Sequence, residues 1–145
     1  MLIDDVIARL NDKVPDLIHR IEGAAELSAL VRSKSLPNEL PFAFVLPLGL
    51  RGGANEVTAG LYRQIVDDTI SVVLLVEAAG DHSGEKALPE IDALKEAIIN
   101  AVCGWAPADA FGVFRVTRGA LVSLNAGTVI YQLDFSISDQ LRIEP

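Results

Sequence analysis

The 145-residue chain has a single cysteine, Cys103, and only two histidines, His19 and His82. One cysteine excludes an intramolecular disulfide and fits a reducing compartment. A zinc site needs three or four convergent ligands. The two histidines are far apart, with neither HxxxH nor HExxH spacing, so no metal and no cofactor are expected. His82 falls in a polar turn and reads as solvated. Positive charge is also scarce: 12 Lys and Arg stand against 20 Asp and Glu, a net charge of −8. Wrapping DNA or lying on an anionic membrane takes clustered cations, so both roles are disfavoured. The opening MLIDDVIARLND lacks the basic region of a signal peptide and carries Asp4 and Asp5 instead. The longest apolar run, Val72–Val76, is far too short to cross a bilayer. The expectation is a soluble protein used without secretory export. Internal repeats, low-complexity tracts and linkers are missing too.

What is present is hydrophobic residue: 50% of the chain, enough for one domain over 1–145 to bury a core unaided. Ile3, Val6, Ile7 and Leu10 share one helical face, with Asp4 and Asp5 at its positive end. Pro15 pushes Val14 out of helical geometry and ends that helix. Leu17, His19 and Ile21 alternate with Ile18, Arg20 and Glu22, a short strand closed by Gly23. Ala24–Ser33, with Leu27, Leu30 and Val31 on one side, predicts a second helix. Phe42–Leu46 is strand-like, but Pro37, Pro41 and Pro47 crowd it, so it belongs at an edge or a bulge. Arg51–Asn55 (RGGAN) reads as a flexible loop, and Ala78–Gly84 as a turn region.

Glu85–Trp105 is the longest helix candidate, with an apolar stripe of Ile91, Leu94, Ile98, Ala101, Val102 and Trp105. Ser83 as a cap, or Pro89 in the first turn, would open it; Gly104 and Pro107 mark its exit. Three strands follow: Val113–Val116, Ala120–Leu124 and Thr128–Ser138. The last two are joined by Asn125-Ala126-Gly127, with glycine where a positive φ is wanted. In the final strand Val129, Tyr131, Leu133, Phe135 and Ile137 face one way, and mostly polar residues face the other. That pattern fits an antiparallel sheet covered by helices on one side. The fold class is α+β: a mixed, mainly antiparallel sheet with helices packed on one face.

Catalytic signals are weak. Cys103 sits on the apolar side of the long helix, with no neighbouring cation or base to activate it. Gly49-Leu50-Arg51-Gly52-Gly53 matches neither GxxxxGK(S/T) nor GxGxxG. Ser83 and Ser123 lack a GxSxG context. Asp67 and Asp68 are adjacent in a strand, so they point to opposite faces and cannot share one site. Solvation or an inter-subunit salt bridge suits them better.

The segment Leu61–Glu77, LYRQIVDDTISVVLLVE, raises a question of length. Fully extended it spans roughly 56 Å at about 3.3 Å per residue. A domain of this size is roughly 40 Å across. Either the strand bends at a bulge near Asp67-Asp68, or its polar half projects. A projecting half leaves backbone groups unpaired and recruits partners. Another chain would then complete the sheet extension and the adjacent glycine loop. Candidate interface residues are Arg51, Asn55, Tyr62, Arg63, Asp67 and Asp68.

The segments LIDDVIARLNDKVPDLIHRIEGAAELSAL, FAFVLPLG, GLYRQIVDDTISVVLLV and LPEIDALKEAIINAVCGWAP together resemble the tail terminator-like minor tail proteins of long-tailed bacteriophages and prophages. VPDLIHRIEGAAEL, YRQ and GWAP are the most specific parts. The helix order and long paired strands are similar to the lambda-type tail terminator fold. The resemblance implies a structural virion protein without catalytic residues. It implies a homohexameric ring at the head-proximal end of the tail tube. That ring would stop tube polymerisation, contact the tail tube protein and a head-completion or stopper protein, and let DNA pass through its lumen without specific binding. It would be made in the host cytoplasm and would reside in the virion tail, away from any membrane. A ring is a head-to-tail assembly that needs two different surfaces per subunit. Two other readings stay open. A different head-tail connector or neck protein would leave tube length unaffected. A small cytosolic α+β enzyme or ligand-binding module would show a concave pocket with convergent polar groups.

Overall fold

The computed structural model describes residues 2–37, 39–78, 87–107, 112–125 and 127–144. The first helix, α1, covers Leu2–Lys13 and buries Val6 and Leu10. Pro15 ends it as expected, but Pro15–Leu17 forms a single 3-10 turn. His19 follows with φ of 62°, so the strand expected over Leu17–Glu22 shrinks to β1, Ile21–Glu22. Helix α2 spans Ala24–Ser33; Glu26 closes its first turn by accepting the Gly23 N–H at 3.2 Å. Helix α3 runs over Ala87–Val102, with Pro89 in its first turn, and ends at Gly104, whose φ is 77°. His82, Ser83 and most of the expected turn before α3 lie outside the described residues.

The other strands are long: β2 Phe42–Thr58, β3 Leu61–Ala78, β4 Arg115–Asn125 and β5 Gly127–Ile143. They form one sheet of order β1-β2-β3-β5-β4, parallel only between β1 and β2. The fold is α+β with a mixed, mainly antiparallel sheet. Arg51–Asn55 is no loop; it lies inside β2, paired with β3. The two short strands expected at Val113–Val116 and Ala120–Leu124 are one strand, β4, with register shifts between Val116 and Arg118 and between Leu121 and Ser123. Each shift reverses which face the next residues show, so the alternation reads as two segments. Gly127 begins β5 with φ of 99°, the conformation expected for it. Ala126 lies outside the described residues.

One face of the sheet carries the core. Ala43, Val45, Ile70, Val72, Leu74, Val129, Leu133 and Phe135 pack there against Val6 and Leu10 of α1 and Ile91, Leu94 and Ile98 of α3. Tyr131 sits at the margin of this cluster, half-buried. Cys103 is half-buried against it as well. Phe42 and Phe44 alternate to the other face, where a groove of about 670 Å³ also takes in Ala29 and Leu30 of α2.

Candidate assembly interface

Beyond the core, three strands continue without helices. β1 pairs only with Ala43 and Phe44, and β4 reaches only Ser136. Past these points β2, β3 and β5 run on as a three-stranded arm: Leu48–Thr58, Leu61–Thr69 and Ser138–Ile143. Within it only Val66 is buried. Its tip is a two-residue turn, Ala59-Gly60, with φ of 51° and 78°. Positive φ at both positions is the geometry that matches the twist of a hairpin.

β3 has no bulge at Asp67-Asp68. It pairs with β5 in unbroken register from Tyr62–Ile143 to Ala78–Gly127. The bulges are on β2, between Pro47 and Gly49 and between Gly52 and Asn55. At the second one the Gly53 backbone lies so close to Ile65 that a Cβ would sit 3.0 Å from its carbonyl oxygen. The glycines that imitate a loop in the sequence are the material of a bulged edge strand.

The arm has two unlike faces, fixed by register. The face continuous with the helices shows Leu50 and Val57 of β2, Tyr62, Gln64, Val66 and Asp68 of β3, and Asp139, Leu141 and Ile143 of β5. Leu50, Val57 and Ile143 are 67%, 70% and 52% exposed, a display of apolar surface that a core would normally hide. The Tyr62 hydroxyl donates to Gln64 Oε1 at 2.7 Å, and Gln64 Nε2 donates to the Gly53 carbonyl at 3.2 Å. The opposite face shows Arg51, Glu56, Arg63, Asp67, Ser138, Gln140 and Arg142.

The paired aspartates split between these faces and differ in chemistry. Asp67 Oδ1 accepts from the Ser138 hydroxyl at 2.5 Å and meets Arg115 Nη2 at 3.5 Å. The Ser138 hydrogen bond, chiefly, holds its carboxyl below the ordinary range; the Arg115 charge adds to this and burial opposes it. Asp67 is therefore satisfied within its own chain. Burial, and secondly the Asp139 carboxylate, push Asp68 up. Arg63 pairs in register with Arg142 on β5 and with Glu56 on β2. Among the described residues neither arginine makes a side-chain hydrogen bond or ion pair. The sequence reading assembled Arg51, Asn55, Tyr62, Arg63, Asp67 and Asp68 on two strands. It missed the third strand, with Asp139, Leu141, Arg142 and Ile143, because nothing local says that β5 lies beside β3.

Among the described residues, nothing in the rest of the surface gathers a reacting centre. No cluster of three metal-ligating side chains occurs among the described residues. The groove at Phe42 and Phe44 is rimmed by Glu22, Glu26 and Glu39. Glu26 is occupied as the α2 cap, and Glu39 pairs with Arg20 at 3.3 Å. No helix is long and apolar enough to cross a membrane among the described residues.

The molecule is a small helical body bearing a long, partly apolar β-arm whose edges no other described strand covers. The family model for the phage tail terminator protein matches residues 2–145. The chain belongs to that family, and so to the proteins of the phage tail. No curated protein matches the chain.

Proposed function

We propose that the protein is a tail terminator that closes into a ring of its own copies on the head-proximal end of the tail tube. There it stops tube polymerisation and offers a surface to the head-completion protein. The family supports a tail role, and the arm is the observation that carries the finer reading. A folded monomer gains nothing from exposed Leu50, Val57 and Ile143, or from strand edges that no described residue covers. Copies arranged head to tail cover both. Six copies would fit the proteins that the sequence resembles. Their shared negative charge would let DNA pass without lasting phosphate contacts.

Electron microscopy of particles assembled without the protein tests this. Overlong tubes are the expected result. Tails of normal length beside unattached heads would instead indicate a connector and overturn the terminator reading.

A further inference from the structure

The two edges of the arm are built differently. β2 is broken by two bulges and carries Pro47, devices that discourage indiscriminate pairing along an edge. Its stretch Asn55–Thr58 is nevertheless regular against β3. β5 has no bulge against β3 and no proline or lysine along Ser138–Ile143. The Gly112 backbone crowds the Ser138 carbonyl, where a Cβ would come to 2.9 Å, so among the described residues the open stretch of β5 begins at Asp139. Three lateral rows cross the arm there: Asn55-Gln64-Leu141, Glu56-Arg63-Arg142 and Val57-Tyr62-Ile143. The middle row reads minus, plus, plus. Like charges directly opposite each other are destabilising. Arg63 has Glu56 on its other side, whereas Arg142 has an open edge.

We propose that the free edge of β5 pairs with the Asn55–Thr58 edge of β2 in a second copy of this chain, setting Arg142 beside that copy's Glu56. The row then continues minus, plus, plus, minus, and each arginine has one carboxylate neighbour. On the opposite face the same match puts Ile143 beside Val57, covering two exposed apolar side chains. Direction fits as well. β2 and β5 are each antiparallel to β3, so they run the same way. A copy rotated about an axis along the arm presents its β2 parallel to β5, an allowed ladder. The contact uses two different edges, so it propagates head to tail and closes by rotation. This inference rests on the ring reading above and names the contact that makes the ring.

Charge reversal tests it. Glu56→Arg alone and Arg142→Glu alone should each raise the concentration needed for half-assembly at least tenfold, because like charges then meet at every joint. An equimolar mixture of the two variants should assemble at a far lower concentration than either alone, since alternating copies restore opposite charges at every joint. Failure of the mixture, or normal assembly of either variant alone, overturns the proposal.

Cross-linking gives a second, independent readout. In a Cys103→Ser background, Glu56→Cys and Arg142→Cys in one chain lie about two strand spacings apart, roughly 9.6 Å, with β3 between them. That exceeds the reach of a disulfide, about 7 Å. Oxidation should therefore give a ladder of covalent multimers and no internal bridge. Wild-type rings that form on tubes of the tail tube protein, while the oxidised cysteine variant stays monomeric on denaturing gels, would refute the edge pairing and leave the ring intact. No wild-type ring under those conditions would refute the ring itself.

Discussion

β3 and β5 are paired in one register along their whole length, yet the two halves of that ribbon live in different surroundings. From Ala78 to Ile70 on β3, the side facing α1 and α3 is aliphatic and buried. From Thr69 to Leu61 the backbone pairing continues unchanged, while only Val66 is buried. Hydrogen-bond geometry alone therefore does not mark where the domain ends. Side-chain chemistry does: the sheet is a core element where residues on its helix side are Ile, Val, Leu and Phe. It becomes an exposed element where Asp68, Gln64, Asp139 and Tyr62 take their places. Stability resides in the first half, and surface for a partner in the second.

That contrast can be broken by mutation, and the largest effect belongs to the core half. Phe135 is fully buried in the helix-side core, opposite Ile70 on β3. Phe135→Ala should cost about 3–5 kcal/mol, the usual range for truncating a buried phenylalanine. Urea denaturation measures it, and a near-neutral result would turn the strand inside out. At the arm tip, Ala59 holds a positive φ that alanine adopts only at a cost. Ala59→Asn should stabilise the hairpin by about 0.5–1 kcal/mol, read as slower amide exchange at Val57 and Tyr62. Leu141→Ala, on the same strand as Phe135 but in the arm, should change monomer stability by under about 0.5 kcal/mol. A loss as large as that of Phe135 would mean the arm has a core of its own.

The aspartates sharpen the comparison between faces through pH. Asp67 has a lowered pKa, so its contribution is present above the ordinary aspartate value near 3.8 and is lost as pH falls through its folded value. Asp68 has a raised pKa, so the fold favours its protonated form, and stability falls as pH rises from near 3.8 through its folded value. Asp67→Asn should therefore flatten the acid limb of the stability profile, and Asp68→Asn should remove a change of opposite sign. Equal profiles for the two variants would contradict the assignment of partners. Smallest of all, EDTA or a thiol blocker should shift the melting temperature by no more than a few degrees. A larger shift would reveal a metal or a reactive thiol that the fold does not display.

How far the fold was legible follows the same division. Buried periodicity marked α1, α3 and the core face of β5, because burial writes a regular pattern; α2 was legible although none of its residues is buried. Leu17–Glu22 misled, since alternation over a few residues is equally compatible with a 3-10 turn and a positive-φ residue at His19. RGGAN and the stretch around Gly119 misled because bulges and exposed strands use the glycines and polar residues of loops. The polar half of the long strand was conspicuous for its length alone. Its neighbours on β5 were invisible, because strand pairing across a helix has no local signature.

The wiring of the arm also sets an order of events as the chain folds. β2 and β3 meet through the two-residue turn at Ala59-Gly60, so this hairpin can zip from a local nucleus within microseconds. β5 is separated from β3 by α3 and β4, and its pairing must wait until the intervening chain has closed a long loop. During that interval the side of β3 that will receive β5 is open, and Ile70, Val72 and Leu74 lack their neighbours Phe135, Leu133 and Tyr131. A newly made copy thus presents another chain with a temporary, more apolar docking edge than any it keeps when finished. Productive folding becomes a race between its own β5 and the β5 of a neighbour, and a domain-swapped dimer is the product when the neighbour wins.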